Sequence, residues 1–267
     1  MKRTIYLVLI TLATIACIVG GMLYHSGGFS GLKPDFSGKT ETIFQESGAV
    51  SEIRLDSEVM DVKFYTGDSL EIAYGGNEKL KPEITFENGV LSITQRGKAG
   101  RTFNIFNFGK TQSKLLVTIP ADAKLQKFTS QIDVCDLEIN AMSAAEAGIH
   151  ANVGDVDVRN AVFEKTEITA NTGDLDVEDS ALGSGTIQVN TGNIDINYCS
   201  FNELHVTNDV GDTDVRLREA ADTYTINLAA DIGDVEAFGR DSGRNYSQEG
   251  SGPVLTVQTN IGDIEVK

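Results

Sequence analysis

The residues with the clearest chemical potential in this chain of 267 amino acids are pairs of polar side chains that recur at a fixed spacing. In the phrases NVGDVDV, NTGDLDV and NTGNIDI, Asp or Asn stands one and three positions after a glycine. Carboxylate oxygens that meet from neighbouring segments could coordinate calcium, which prefers oxygen ligands. The candidate calcium ligands are Asp155, Asp157, Asp174, Asp176, Asp195, Asp212 and Asp214.

The same side chains also have a purely structural interpretation. Asp and Asn hydrogen-bond to the backbone at turns, and exposed charge keeps a sheet soluble and its edges unpaired. The GDxD phrase bears a faint likeness to the calcium-binding nonapeptide β-roll, but that motif has a nine-residue period and paired glycines, which this chain lacks. Calcium is therefore the one cofactor that the sequence allows us to consider, and no other cofactor is indicated.

The spacing of the phrases indicates the elements that position these side chains. The glycines follow one another at intervals of 19, 19, 19, 22 and 29 residues, and Cys135 occupies the same place one period upstream. Apolar residues alternate with polar ones on both sides of each glycine, which is the pattern of β-strands. We predict that each copy is a strand, a corner, a second strand and a loop, with corners at Gly154, Gly173, Gly192, Gly211, Gly233 and Gly262.

Four aliphatic columns are predicted to face the interior of the structure. They lie five residues before, one residue before, two residues after and four residues after each corner position. The column directly before the corner consists of Val134, Val153, Thr172, Thr191, Val210, Ile232 and Ile261.

The repeat predicts an all-β fold. One copy is too short to bury its apolar face alone, whereas stacked copies align these columns about 4.8 Å apart. We predict a parallel β-solenoid of about 19-residue coils for residues 126–267, with a β-sandwich as the alternative. Residues 46–125 show the same pattern in weaker form. We interpret them as degenerate β-coils and hairpins that form the N-terminal part of the same β-domain.

The N-terminal residues predict a membrane anchor. Residues 4–24 contain no charged side chain, and such a run is long enough to cross a bilayer as a helix. A cleaved signal peptide and lipidation at Cys17 are the alternatives. Because Lys2 and Arg3 precede the run, residues 1–25 would form a cytoplasmic tip and an anchor, residues 26–45 a flexible tether, and the rest would be extracellular.

The acidic residues are concentrated in the C-terminal half. Residues 126–267 contain 26 acidic and 8 basic side chains, against 13 and 14 in residues 1–125. So negative a surface would repel nucleic acid. The stretch of residues 96–114 is basic and aromatic, and we interpret it either as a surface loop or as a contact with an anionic wall polymer or membrane.

Nothing in the sequence predicts an enzyme. His150 and His205 occupy outward strand positions, His25 lies next to the apolar run, and no nucleophile elbow, phosphate loop or metal-spaced Cys and His cluster is present. Cys135 and Cys199 fall in different coils and columns, so we do not expect a disulfide between them.

The order of these features resembles the bacterial putative adhesin family, a domain of unknown function common in Gram-positive bacteria. The resemblance covers most of residues 46–267 and includes the stretches LDSEVMDVKFYTGDSLEIAY and LLVTIPADAKLQKF before the GDVDV, GDLDV and GNIDI coils. It implies a membrane-anchored β-solenoid ectodomain with no catalytic residues. Cys135 departs from the pattern of corner glycines.

Two functions are expected from this combination. The first is a non-enzymatic, single-pass cell-surface protein that presents an acidic β-solenoid for adhesion, or for binding to a protein or a cell-envelope polymer. The second is a regulatory ectodomain in cell-envelope stress sensing that acts through a membrane partner. The sequence does not decide between them.

Overall fold

Two sheets wind around a shared apolar interior in residues 40–97 and 113–267, which are the residues that the computed structural model describes. Two short 3-10 helices, Glu78–Leu80 and Ala221–Thr223, interrupt the strands. No helix in these two ranges is long and apolar enough to cross a membrane. The predicted membrane span, residues 4–24, lies outside them. The strands are β1 (Glu41–Glu46), β2 (Glu52–Ser57), β3 (Met60–Gly67), β4 (Leu70–Gly75), β5 (Glu83–Glu87), β6 (Val90–Gln95), β7 (Ser113–Pro120), β8 (Leu125–Val134), β9 (Leu137–Asn140), β10 (Ser143–Val153), β11 (Val156–Arg159), β12 (Val162–Thr172), β13 (Leu175–Glu178), β14 (Ala181–Val189), β15 (Ile194–Val210), β16 (Thr213–Leu217), β17 (Thr225–Ile232), β18 (Val235–Ala237), β19 (Arg240–Asp241), β20 (Asn245–Gln248), β21 (Val254–Ile261) and β22 (Ile264–Val266).

The regular coils form the predicted parallel β-solenoid. In one sheet, here called sheet B, β8, β10, β12, β14 and the second part of β15 pair in parallel, with Ile149 opposite Ile168 and then Ile187. In the other, sheet A, β9, β11, β13 and the first part of β15 do the same. These pairings are parallel, so the alternative of a sandwich built from antiparallel hairpins is wrong for these coils.

Three of the four predicted interior columns are confirmed. The columns five before, two after and four after the corner are buried, as Ile168, Leu175 and Val177 illustrate. A fourth buried column, three residues before the corner, was missed; it contains Ile132, Ala151, Ala170 and Val189.

The column directly before the corner is exposed, so that prediction was wrong. Val153 and Ile232 are among the exposed large apolar residues of the described chain. Ala151 is buried, whereas Asn152 and Val153 are both exposed, so the alternation of buried and exposed side chains stops just before the bend at Gly154. Strand alternation cannot be extended through such a bend, because the period of two holds only while the chain stays extended.

The last coil of the chain does not stack last. β21 pairs in parallel with β15 on one side and with β17 on the other, and β22 lies between β16 and β18 in the same way. The stacking order at this end therefore differs from the order of the coils in the sequence. The C-terminal coil is inserted between its two predecessors, and the short antiparallel strands β19 and β20 cover the outer coil.

The N-terminal end has the mirrored arrangement. The first coil, β2 and β3, lies between β8 and β9 on one side and β6 and β7 on the other. Antiparallel β4 and β5 then extend the two sheets, and β1 pairs with β4. Within residues 46–125 the structure describes strands β2 to β7, which pair both in parallel and antiparallel. Strand β1 occupies Glu41–Glu46 and so takes up residues predicted as tether, because Ile43 and Phe44 pack against the core.

Each end of the solenoid is closed by an aromatic pair that joins the two sheets. Phe44 of β1 contacts Phe86 of β5 edge to face, with ring centroids 6.4 Å apart. At the opposite end Phe238 contacts Tyr246 in the same geometry at 6.2 Å. Solenoids need such caps because the terminal coils would otherwise expose the apolar interior.

Candidate functional site

The corner glycines are required by the stacking of the coils. Gly173 has φ of 139°, and a Cβ placed on it would lie 2.1 Å from the carbonyl oxygen of Gly154 in the neighbouring coil. The same close approach recurs up the ladder to Gly233, whose neighbour is Gly262. Cys135, which replaces the first corner glycine, turns its side chain inward instead and is buried.

The carboxylates that follow the corners bond to the backbone of the next coil. Oδ1 of Asp155 accepts a hydrogen bond from the backbone N–H of Asp174 at 2.9 Å, and Oδ1 of Asp174 accepts one from Asn193 at 2.8 Å. The pattern is unbroken through seven such bonds. We call these residues the corner row; in stacking order they are Asp61, Asp136, Asp155, Asp174, Asn193, Asp212, Asp263 and Asp234.

The corner row accounts for the first carboxylate of each phrase. The N–H groups at the corner lie where ladder pairing between strands is interrupted, and an unpaired backbone donor is unfavourable. A side-chain oxygen from the adjacent coil supplies the acceptor. Asn193 fills this role as well as Asp does, since its carbonyl Oδ1 accepts from Asp212 at 3.0 Å.

The second carboxylate of each phrase projects from the outer surface of sheet A. Asp157, Asp176, Asp195 and Asp214 lie side by side on adjacent strands, and Glu265 and Glu236 continue this line to the end of the sheet. We call these six residues the face row. Arg159 bonds Asp157 at 2.8 Å, and Lys267 bonds Glu265 at 2.7 Å.

Partial burial and neighbouring acids raise the pKa of three carboxyls in the face row. Partial burial raises the pKa of Asp176, and the carboxylates of Asp157 and Asp195 raise it further. Partial burial also raises the pKa of Asp195 and Asp214, against the opposing effect of Arg216 at Asp195 and Lys267 at Asp214. Like charges on adjacent strands disfavour ionisation at each site.

The two rows meet in an open groove at the C-terminal end of the solenoid. The groove has a volume of about 430 Å³. Among the residues that the structure describes, no three or more His, Cys, Asp or Glu side chains converge in a way that would hold a metal ion. Calcium binding by the seven candidate residues therefore stays a prediction. The lining residues are Asp212, Asp214, Asp234, Val235, Glu236, Asp241, Asp263, Ile264 and Glu265.

Exposed side chains, most of them apolar, form a ridge along the stacked coils. The ridge lies directly before the corner glycines, whereas the corner row lies directly after them. It is formed by the misassigned column, and its stacking order is Val134, Val153, Thr172, Thr191, Val210, Ile261 and Ile232. The row next to it on the sheet B side is acidic or amide. There the amide of Asn171 donates to Oδ1 of Asn152 at 3.0 Å, and that of Asn190 donates to Oδ1 of Asn171 at 2.8 Å.

The outer surface of sheet B carries charged side chains of both signs beside uncharged polar ones, with Lys127, Glu146 and Lys165 on adjacent strands. His150 and His205 are exposed there, as predicted, and Nε2 of His205 lies 2.9 Å from Oε1 of Glu203. The row that contains His150 continues through Gln131, Thr169, Gln188, Thr207 and Gln258. Nothing in these contacts orients either histidine toward a nucleophile.

Both cysteines in the described residues are buried and free. Burial raises the pKa of the Cys135 and Cys199 thiols to about 11 in each case. The Cys135 thiol contacts the hydroxyl of Ser57 at 3.8 Å. Thiols of this kind are protonated at neutral pH and are poor nucleophiles.

Comparison with known proteins supplies a family and a fold. The family model described as Toastrack DUF4097 matches residues 50–267. A search of curated proteins finds no match. A solved structure of a putative adhesin from Bacteroides fragilis is 15% identical, with a TM-score of 0.51 over 88% of this chain and 99% of that one.

Two further solved structures align over similar lengths. A putative cell adhesion protein from Clostridium sporogenes is 14% identical, with a TM-score of 0.43 over 86% of this chain and 99% of that one. A putative lipid binding protein from Parabacteroides distasonis is 13% identical, with a TM-score of 0.42 over 88% and 98%. At these identities the likeness concerns the fold.

Proposed function

Since the chain belongs to the Toastrack DUF4097 family, a putative adhesin family of unknown function, we propose that it is a non-enzymatic cell-surface protein that binds a protein or a cell-envelope polymer through its solenoid. The observation that supports this most is the contrast between the outer surfaces. One presents the acidic face row and its groove, and the other a polar sheet on which acidic and basic side chains alternate with uncharged ones. Rigid, extended surfaces with distinct charge suit the recognition of a macromolecule.

We further propose that residues 4–24 anchor the protein in the cell membrane as a single span, with residues 26–267 outside the cell. The proposal rests on the uncharged run and on the basic residues Lys2 and Arg3 before it. Protease added to intact cells should then remove a C-terminal tag. Protection of the tag until the cells are lysed would overturn this orientation.

A second function is regulation of the envelope-stress response through a membrane partner. Gly20 and Gly21 in the apolar run favour it, because small residues allow helices to pack closely in a membrane. In that case the solenoid would sense an envelope component, and the membrane helix would transmit the state to a sensor or transporter.

Cross-linking in intact cells separates these functions. The full chain with a C-terminal tag is cross-linked, purified and analysed by mass spectrometry, beside a variant in which residues 4–24 are replaced by an unrelated membrane span. Recovery of surface proteins or wall polymer by both forms supports surface binding. Recovery of a membrane sensor or transporter by the native form alone supports regulation and counts against surface binding.

A further inference from the structure

Three of the five exposed apolar residues of the ridge lie next to one another at its C-terminal end. Val210, Ile261 and Ile232 are adjacent in the stacking order, and 43%, 49% and 60% of their surfaces are exposed. We call these three residues the distal patch. They lie at the opposite end of the solenoid from β1. Contiguous exposed apolar residues on a folded surface are typical of contact sites.

Carboxylates flank the distal patch on both sides. Asp209 and Asp231 precede Val210 and Ile232 in the chain, and Asn260 between them donates an amide hydrogen bond to Oδ1 of Asp209 at 2.9 Å. On the other side lie the last corner-row residues and the acidic groove. The middle of the ridge differs, because Thr172 and Thr191 replace the apolar residues there and Asn171 and Asn190 replace the acids.

The spacing between the side chains of the distal patch favours one secondary structure for a segment that docks on it. Its side chains repeat every coil, about 4.8 Å apart along the solenoid axis. Apolar side chains on one face of an α-helix repeat about every 5.4 Å, whereas those on one face of an extended strand repeat about every 6.6 Å. The apolar side chains of a helix that lies along the solenoid axis can therefore stay close to all three patch residues over two turns. The side chains of an extended peptide are spaced too widely to do so.

We propose that the distal patch docks a basic amphipathic α-helix of a partner protein. The apolar stripe of the helix packs on Val210, Ile261 and Ile232, and its Lys or Arg side chains reach the carboxylates on both sides. Helix docking of this type reads apolar anchors at intervals of three and four residues. Charge complementarity sets the orientation and the rate of association. The inference rests on the proposed surface-binding function and specifies its partner.

The test uses the full chain in nanodiscs of zwitterionic lipid, with empty nanodiscs as the blank. The probe is a fluorescent 14-residue peptide with Leu at helical spacing and Lys on the flanks. A peptide of the same composition in scrambled order and a peptide with Glu in place of Lys are the controls. Fluorescence anisotropy should show binding of the first peptide only.

Two matched double variants locate the site. Val210→Ser with Ile232→Ser should weaken binding about tenfold or more, because both anchors lose their apolar contact. Val134→Ser with Val153→Ser changes two exposed valines of the same ridge at the other end, 39% and 42% exposed, and should change binding less than about twofold. Asp209→Asn with Asp231→Asn should weaken binding and reduce its dependence on salt. Because the substituted residues are exposed, thermal unfolding should change little.

Equal effects of the two serine double variants, or equal binding of the scrambled peptide, would overturn the proposal. If the distal variant leaves peptide binding unchanged but abolishes self-association of the chain in sedimentation, the occupant is a second copy and the proposal is also wrong. Failure of the proposed surface-binding function would give a different experimental result. In that case cross-linking in cells recovers no partner even for the native chain.

Discussion

The two carboxylates of one phrase perform different tasks although only one residue separates them. Asp174 in the corner row accepts a backbone hydrogen bond at 2.8 Å, whereas Asp176 in the face row has its pKa raised by partial burial and neighbouring acids. The first side chain joins two coils. The second is held in an unfavourable electrostatic setting. Identical residue types in a repeat therefore need not share a role, and the rows should respond to substitution with opposite sign.

The largest effect is expected at the corner that sets the two rows apart. Gly173→Ala places a Cβ about 2 Å from a carbonyl oxygen at a φ that disfavours any side chain, so we expect a loss of about 4 kcal/mol in the free energy of unfolding. Urea denaturation measures it. Gly239→Asn is the control, because Gly239 has nothing within 4 Å of its Cβ position and asparagine tolerates positive φ; a comparable loss there would contradict the steric explanation.

In the corner row, Asp174→Ala should lower the free energy of unfolding by about 1 to 2 kcal/mol, because the N–H of Asn193 loses its acceptor. Asp174→Asn keeps an acceptor and should cost less than half as much. The natural Asn193 in the same row is the precedent for this. If asparagine and alanine destabilise equally, charge rather than the hydrogen bond is the important property.

In the face row, removing charge should stabilise the protein. Asp176→Asn relieves repulsion from Asp157 and Asp195, and because the site is only partly buried and solvent screens the charges, we expect a gain of only a few tenths of a kcal/mol at neutral pH. Asp195→Asn should act in the same direction. Measured at low salt beside Asp174→Ala, a destabilising Asp176→Asn would remove the contrast between the rows.

The smallest effect is the pH dependence of that gain. A carboxyl whose pKa is raised in the folded state takes up a proton more readily there than in the unfolded state. Its unfavourable contribution to the free energy of folding is therefore present above the folded pKa and is relieved as the pH falls through it. The stability difference between wild type and the Asp176→Asn, Asp195→Asn double variant should therefore shrink on acidification toward the carboxyl range. Urea titrations across that range measure this, and a constant difference would show that charge is not the cause.

Most of the regular part of the fold could be predicted from the sequence. A 19-residue period with aliphatic columns two and four residues after the corner is sufficient to predict parallel coils, since only stacking buries such columns. The stacking order at the ends was not predictable in this way. β21 fits between β15 and β17 because all three strands carry the same pattern, so periodicity does not distinguish the possible neighbours.

The site was predictable in residue type but not in role. The phrase located both acidic rows, and the structural alternative for Asp and Asn proved to apply to the corner row. Which of the two carboxylates bonds the backbone depends on how the chain turns at the corner and on which coil lies next to it, and a local pattern does not encode this. For the same reason the pattern predicted Ile232 and Ile261 to lie inside, although both are exposed.

Amide hydrogen exchange tests the division between the rows most directly. The N–H of Asn193 bonds across the coils to Oδ1 of Asp174, so its exchange reports that contact. We predict faster exchange of this amide in Asp174→Ala and wild-type exchange in Asp176→Ala. Unchanged exchange in Asp174→Ala, or equal acceleration in both variants, would contradict the assignment of the corner row to coil stacking and the face row to the surface.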